Sequence, residues 1–135
     1  MTNWFCITNE EMWSLARDEH LWAVSNRHQK LMASVRPFDR VVFTIIGQAV
    51  CGTFMVIDKP YISHHEMFTG GKYPNRVRLK PRVLPNTPKI WTNECFQNLE
   101  FFANTKDWSI RLLGREFISI SDHDYFYLEQ YLRNQ

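Results

Sequence analysis

Two β-branched runs, RVVFTII (Arg40 to Ile46) and AVCGTFMVI (Ala49 to Ile57), are separated only by Gly47 and Gln48. Branching at Cβ stiffens the side chain and favours a pleated strand over a helix. A two-residue connection containing glycine joins such runs as an antiparallel hairpin. The chain must therefore build its core on a sheet. Gly52, inside the second run, marks a bulge or a close backbone approach, as expected where a sheet bends into a barrel.

The flanking segments supply further elements. NWFCIT (Asn3 to Thr8) is apolar and aromatic, the pattern of a buried strand, and Asn9 follows as an N-cap with Glu10 and Glu11 in the first turn of a short helix to about Arg17. After HLWAVS, Asn26 is a second cap ahead of RHQKLMASV, whose Leu31, Met32 and Val35 have helical spacing, and Pro37 ends that helix in the turn RPFDR. RVRLKPRVL (Arg76 to Leu84) alternates, placing Val77, Leu79 and Val83 inward and Arg76, Arg78, Lys80 and Arg82 outward, with Pro81 at an edge or a bulge.

TNECFQNLEFF is a short helix capped by Thr92, with Phe96, Leu99 and Phe102 on one stripe. WSIRLLG is a short helix or turn stopped at Gly114, and Phe117 to Ile120 is a brief strand. Ser121 and Asp124 have capping spacing ahead of the amphipathic helix DHDYFYLEQYLR. Five to six short strands with flanking helices describe a mixed α/β (α+β) fold, a small, strongly bent sheet or open β-barrel. The 135 residues carry no repeat or linker, so residues 1–135 form one domain.

Aromatic residues, at 15%, either fill a strand-rich core or leave rings over for stacking on a ligand. Cys6, Cys51 and Cys95 lack metal or disulfide spacing, and free thiols together with the absence of a leader-like segment point to the cytoplasm. No segment reaches membrane-spanning length, so no membrane association is expected. The net charge of +2 is unevenly sorted. Between Glu66 and Glu94 there is no acid, while Lys72, Arg76, Arg78, Lys80, Arg82 and Lys89 fall inside that gap.

Candidate chemistry is sparse. His64, His65 and Glu66 are adjacent and lack a supporting Cys/His cluster, which favours a solvated loop over a metal site. The cysteines lie in apolar segments, where inert thiols are the rule. Nucleophile-elbow, phosphate-loop and dinucleotide glycine patterns are absent, so no cofactor is expected and no catalytic residue stands out. RVRLKPR is first of all a solvated face, yet outward like charges without a compensating acid repel each other, a cost that an anionic partner relieves. Trp22 sits beside Ala23 and Ser25, whose small size leaves room over its ring. A base stacked there is worth ~1–3 kcal/mol, although spacing alone favours the core for Trp22 by a little, since most buried tryptophans are structural.

Taken together, NWFCITNEE, HLWAVSNRHQKLMASVRPFDRVVF, VCGTFMVIDKPY, MFTGGKYPNRVRLKP and GREFISIS resemble the EVE domain family. That family has a PUA-like fold and is similar to the YTH domains that read N6-methyladenine in RNA. The resemblance covers nearly the whole chain and implies a non-enzymatic reader of a modified base in RNA or DNA, flipped into an aromatic pocket. It places Trp22 as one wall, Ser25 near the base edge and Asn9 as the pocket amide. YTH domains carry a second tryptophan in the loop after the bulged strand, where this chain has Met67, Phe68 and Tyr73. Arg76, Arg78, Arg111 and Arg115 take phosphate or base-edge roles by the same resemblance. The alternative it suggests is an ASCH-like hydrolase acting on a modified nucleoside or RNA, with His64, His65 and Glu66 as its nearest acid/base groups. No protein partner is implied.

Overall fold

The hairpin forms as its sequence requires. β3 (Arg40–Ile45) and β4 (Ala49–Val56) pair antiparallel, with Phe43 opposite Gly52 and then Thr44 opposite Val50, which leaves Cys51 as an extra residue in a bulge. A Cβ on Gly52 would stand 2.8 Å from Cη2 of Trp13 and 3.2 Å from Cδ1 of Leu84. Both expectations for this glycine hold: the strand bends there, and a ring from the first helix lies against its backbone. The computed structural model describes residues 1–45, 48–65, 73–92, 95, 97–102 and 116–134.

β1 (Asn3–Ile7) runs parallel to β3 and antiparallel to β8 (Phe117–Ile120), while β6 (Asn75–Val83) lies between β4 and β2 (Leu21–Val24). The sheet order is β2-β6-β4-β3-β1-β8, with short β5 (Tyr61–Ile62) on β6 and β7 (Lys89–Ile90) on β4. The result is a curled, open half-barrel of mixed α/β class. β6 is thus an interior strand, and Pro81 is tolerated because the register shifts beside it, with Thr53 opposite Val83 and Phe54 opposite Pro81.

Side chains alternate between two cores. Trp4, Cys6, Val41 and Phe43 join Trp13, Trp22 and Phe54 on one face, whereas Phe5 and Val42 join Tyr125, Leu128 and Leu132 on the other. Strands buried on both sides must be apolar throughout, which accounts for the unbroken β-branched runs. α1 (Glu10–Glu19) covers the first core through Trp13 and Ala16, and α3 (Asp122–Arg133) covers the second. Among the described residues no helix is long and apolar enough to cross a membrane.

Helix ends follow their caps, with two departures. Asn9 Oδ1 accepts from the Met12 amide at 2.8 Å, and Ser121 Oγ accepts from the Asp124 amide at 3.1 Å. α1 continues beyond Arg17 to Glu19, where His20 at φ 52° closes it by donating to the Ala16 carbonyl. The second helix is shorter than its spacing predicts: a 3₁₀ turn over Asn26–His28 precedes α2 (Gln29–Met32), and Ser25 rather than Asn26 holds the cap position. Leu31 is left exposed, while Met32 and Val35 are buried.

Arg82 does not belong to an unneutralised basic face. At the bulge between β4 and β6 its Nε and Nη2 donate to Glu129 Oε2 and Oε1 at 3.0 and 2.9 Å. Tyr125 and Thr53 hydroxyls donate to the same carboxylate at 2.6 and 3.0 Å. Burial alone would raise the Glu129 pKa, but these hydrogen bonds outweigh it and bring the group down to about 2.

Replacing Glu129 by Gln is expected to cost about 3 kcal/mol, the lower end for stripping one partner from a buried ion pair, because Arg82 keeps some contact with water. The native carboxyl titrates below its ordinary value of 4.5, so its contribution is complete above that pH and lost as pH falls towards 2. Acid unfolding followed by circular dichroism will be shallower for Glu129→Gln across that interval. Gly52→Ala, which drives a methyl into the Trp13 ring, is expected to lower urea stability by about 1–3 kcal/mol.

Candidate functional site

Beside the N-terminus of α1 lies a cavity of 210 Å³. Cys6, Ile7, Thr8 and Asn9 bring the end of β1 and the helix cap to it. Leu21 to Val24 bring β2, and Met12, Phe43, Tyr73 and Glu116 complete the wall. Strand, cap and strand meet here because α1 is seated on Gly52, so its first turn overhangs the end of β2.

Asn9 sits at the rim. Its Oδ1 is committed to the Met12 amide, which fixes the side-chain amide and leaves Nδ2 as the group that can donate to a ligand. Trp22 lies within β2 rather than at an element boundary and is 1% exposed. Its ring meets Phe117 at 4.9 Å and Phe43 at 6.2 Å between centroids, both nearly perpendicular. Core residue and cavity wall are therefore the same tryptophan.

Ser25 is held by a residue for which the sequence carried no signal. Its Oγ donates to Glu116 Oε1 at 2.7 Å, and its backbone amide donates to Oε2 at 3.2 Å. The two bonds clamp the Glu116 carboxylate on the cavity wall. Its negative charge favours N–H groups in the cavity and opposes phosphate there. The same charge adds to burial in pushing the Cys6 thiol well above its ordinary pKa, against a smaller opposing effect of the Trp22 indole. Burial likewise pushes Cys51 up to about 12 and Cys95 up to about 11, so all three thiols are poor nucleophiles.

Asn9, Trp22 and Tyr73 thus line one cavity, and Ser25 stands just beyond Val24 on its rim. Arg76 does not face outward. It is 4% exposed because β5 pairs over β6 at this point. Its guanidinium donates to the backbone oxygens of Tyr73 and His65 and to Ser63 Oγ, stapling the two ends of the connecting loop. Arg78 is exposed and lies over the Tyr61 ring at 6.0 Å. Phe68, Arg111 and Arg115 fall outside the described residues, as does Glu66.

His64 and His65 are exposed, and neither lines the cavity. A second polar group, Glu100, His123 and Asp124, gathers near the start of α3. Its buried carboxylate is already engaged, since Asp124 accepts from the Glu100 and Phe101 amides at 2.7 and 2.9 Å and so caps a 3₁₀ turn.

No family model matches the chain. Among solved structures, the Mmi1 YTH domain matches with a TM-score of 0.71 at 12% identity, over 98% of this chain and 75% of that one. The Mmi1 YTH domain in complex with RNA gives 0.70 over 98% and 77%. At such low identity this likeness establishes the fold: the half-barrel is YTH-like. A UPF0310 protein of Pyrococcus abyssi is 30% identical over 145 residues, covering 98% of this chain and 100% of the relative. Likeness of that extent is one of descent as well as shape: the chain belongs to the UPF0310 family.

Proposed function

We propose that the chain is a nucleic-acid-binding module that takes a single modified base, in particular a methylated one, into the cavity beside Trp22. The observation that carries this reading is the convergence on one cavity of an apolar aromatic wall, a donor amide fixed by its cap and a clamped carboxylate. Asn9 Nδ2 donates to a ring nitrogen, Glu116 accepts from an exocyclic amine, and Met12, Trp22 and Phe43 cover a methyl group whose burial adds ~0.8 kcal/mol. The RNA bound to the Mmi1 YTH domain supports nucleic acid as the partner class. Such a role agrees with an EVE-type reader, in which the base is turned out of its strand.

Trp22→Ala is a poor test, because a core truncation of this kind costs about 3–5 kcal/mol and the fold suffers with the site. Asn9→Asp is cleaner. Aspartate keeps the cap on Met12 but replaces the donor by an acceptor, so the helix survives while base recognition does not. Fluorescence anisotropy with short single strands, bearing N6-methyladenine, 5-methylcytosine or no methyl group, is expected to show preference for one modified strand. Asn9→Asp should lower that affinity at least tenfold, about 1.4 kcal/mol, with circular dichroism unchanged. Equal binding of every strand by the wild type, or wild-type affinity in Asn9→Asp, would overturn the reading.

The backbone contacts are assigned to the exposed cations Arg78 and Lys80 instead of Arg76. Arg78→Ala is expected to weaken binding to all strands alike and to reduce the salt slope by about one. Arg76→Ala should leave that slope unchanged while raising amide hydrogen exchange in Ser63 to His65, because it removes the staple on that loop.

A further inference from the structure

Val24 lines the first cavity, and Asn75, its partner across the β2–β6 ladder, lines a second and larger one of 670 Å³. This volume falls in the range of ~300–1,000 Å³ typical of small-ligand sites. One side comes from α2 and the turn after it, with Met32 and Arg36, and the other from the approach to β5, with Lys59 and Tyr61.

Three features of the wall ask for a ligand. Asn75 is 3% exposed, and its Nδ2 donates to the Ser25 carbonyl and to Asn26 Oδ1, both at 3.2 Å. Its own Oδ1 accepts from none of the described residues. Left open on the cavity wall, this oxygen is available to a ligand N–H. Arg36 and Lys59 bring two cations, and among the described residues neither has a side-chain partner and no carboxylate lines the cavity. Tyr61 and Met32 add an aromatic ring and an adaptable apolar side chain.

We propose that this second cavity is a nucleotide site, holding a base against Tyr61 and Met32 with an N–H on Asn75 Oδ1, and the phosphate between Arg36 and Lys59. A simple fatty-acid anion would satisfy the cations but leave the Asn75 acceptor empty, so a nucleoside monophosphate fits the wall better. The nucleotide has two possible sources. It is either a free mononucleotide or the neighbour, in the same strand, of the base held in the first cavity. Val24 and Asn75, one from each wall, are partners on the same ladder, so the second source places adjacent nucleotides on either side of that rung. Only the second source rests on the function proposed above.

The test is a ¹⁵N–¹H NMR titration with adenosine and uridine 5′-monophosphates, with adenosine, and with the dinucleotide adenylyl-(3′,5′)-adenosine. A monophosphate or the dinucleotide is expected to give saturable shifts in Lys59, Tyr61, Ile62 and the Asn75 side-chain amide. Adenosine should bind at least tenfold more weakly than its monophosphate, and the double variant Arg36→Ala, Lys59→Ala should lose at least tenfold for every phosphorylated probe. Both side chains are exposed, so the variant's spectrum away from the cavity will report an intact fold. Monophosphate binding as tight as that of the dinucleotide identifies a free nucleotide as the source. Dinucleotide binding at least tenfold tighter, with shifts at Asn9 and Trp22 as well, identifies a strand. Shifts confined to Asn9 and Trp22 would overturn the second site while leaving the first. Adenosine binding equal to the monophosphate, an unaffected double variant, or no saturable shift from any probe would overturn it as well.

Discussion

The Trp13 ring rests on the backbone of Gly52 at a distance that leaves no room for a side chain, and the end of the molecule that holds the smaller cavity is built outward from that contact. The bulge at Cys51 bends β4 there, and the bend gives α1 its seat. With the helix seated, its capping residue can stand in one place only, at the mouth of the space between β1 and β2. A hydrogen bond that exists to satisfy the Met12 amide therefore also orients Asn9 towards the cavity. On the proposed reading, helix capping and base recognition are two uses of a single amide, one for each end.

The opposite side of the sheet has a different organising charge. Glu129 joins α3 to the bulge of β6 through Arg82 and to β4 through Thr53, while Tyr125 closes the group. Near the first strand Asp39 does comparable work, accepting from the Thr2 and Arg36 amides and from Trp4 Nε1. That satisfied carboxylate steadies the turn in which Phe38 stands at φ 74°, an unfavourable angle for a bulky residue. These clusters let a sheet with two apolar faces carry the Glu129 and Asp39 carboxylates inside with their hydrogen bonds made.

Features set by neighbours in the chain were legible in advance. The hairpin, the Asn9 and Ser121 caps, the Phe117 strand and the close approach at Gly52 all follow from spacing and side-chain shape. What escaped depends on residues far apart. Arg82 counts as an unpaired cation until Glu129, 47 positions later, is folded against it. Ser25 and Glu116, 91 positions apart, give no hint of each other. The misplaced second cap is long-range as well, since Asn26 Oδ1 accepts from Asn75 Nδ2, 49 positions later. Arg76 alternated as an outward residue, but the two-residue strand β5, too short to announce itself by pattern, folds over it.

Charge is consequently distributed by cavity as well as by segment. Glu116 gives the smaller space beside Trp22 a negative wall in a protein whose net charge is +2, so that space suits the uncharged, amine-bearing edge of a base and repels its phosphate. The second cavity, whose wall includes the ladder partner of Val24, carries Arg36 and Lys59 and, among the described residues, no carboxylate. On the proposed readings, a base beside Glu116 and a phosphate beside Arg36 and Lys59 would therefore occupy opposite electrostatic environments.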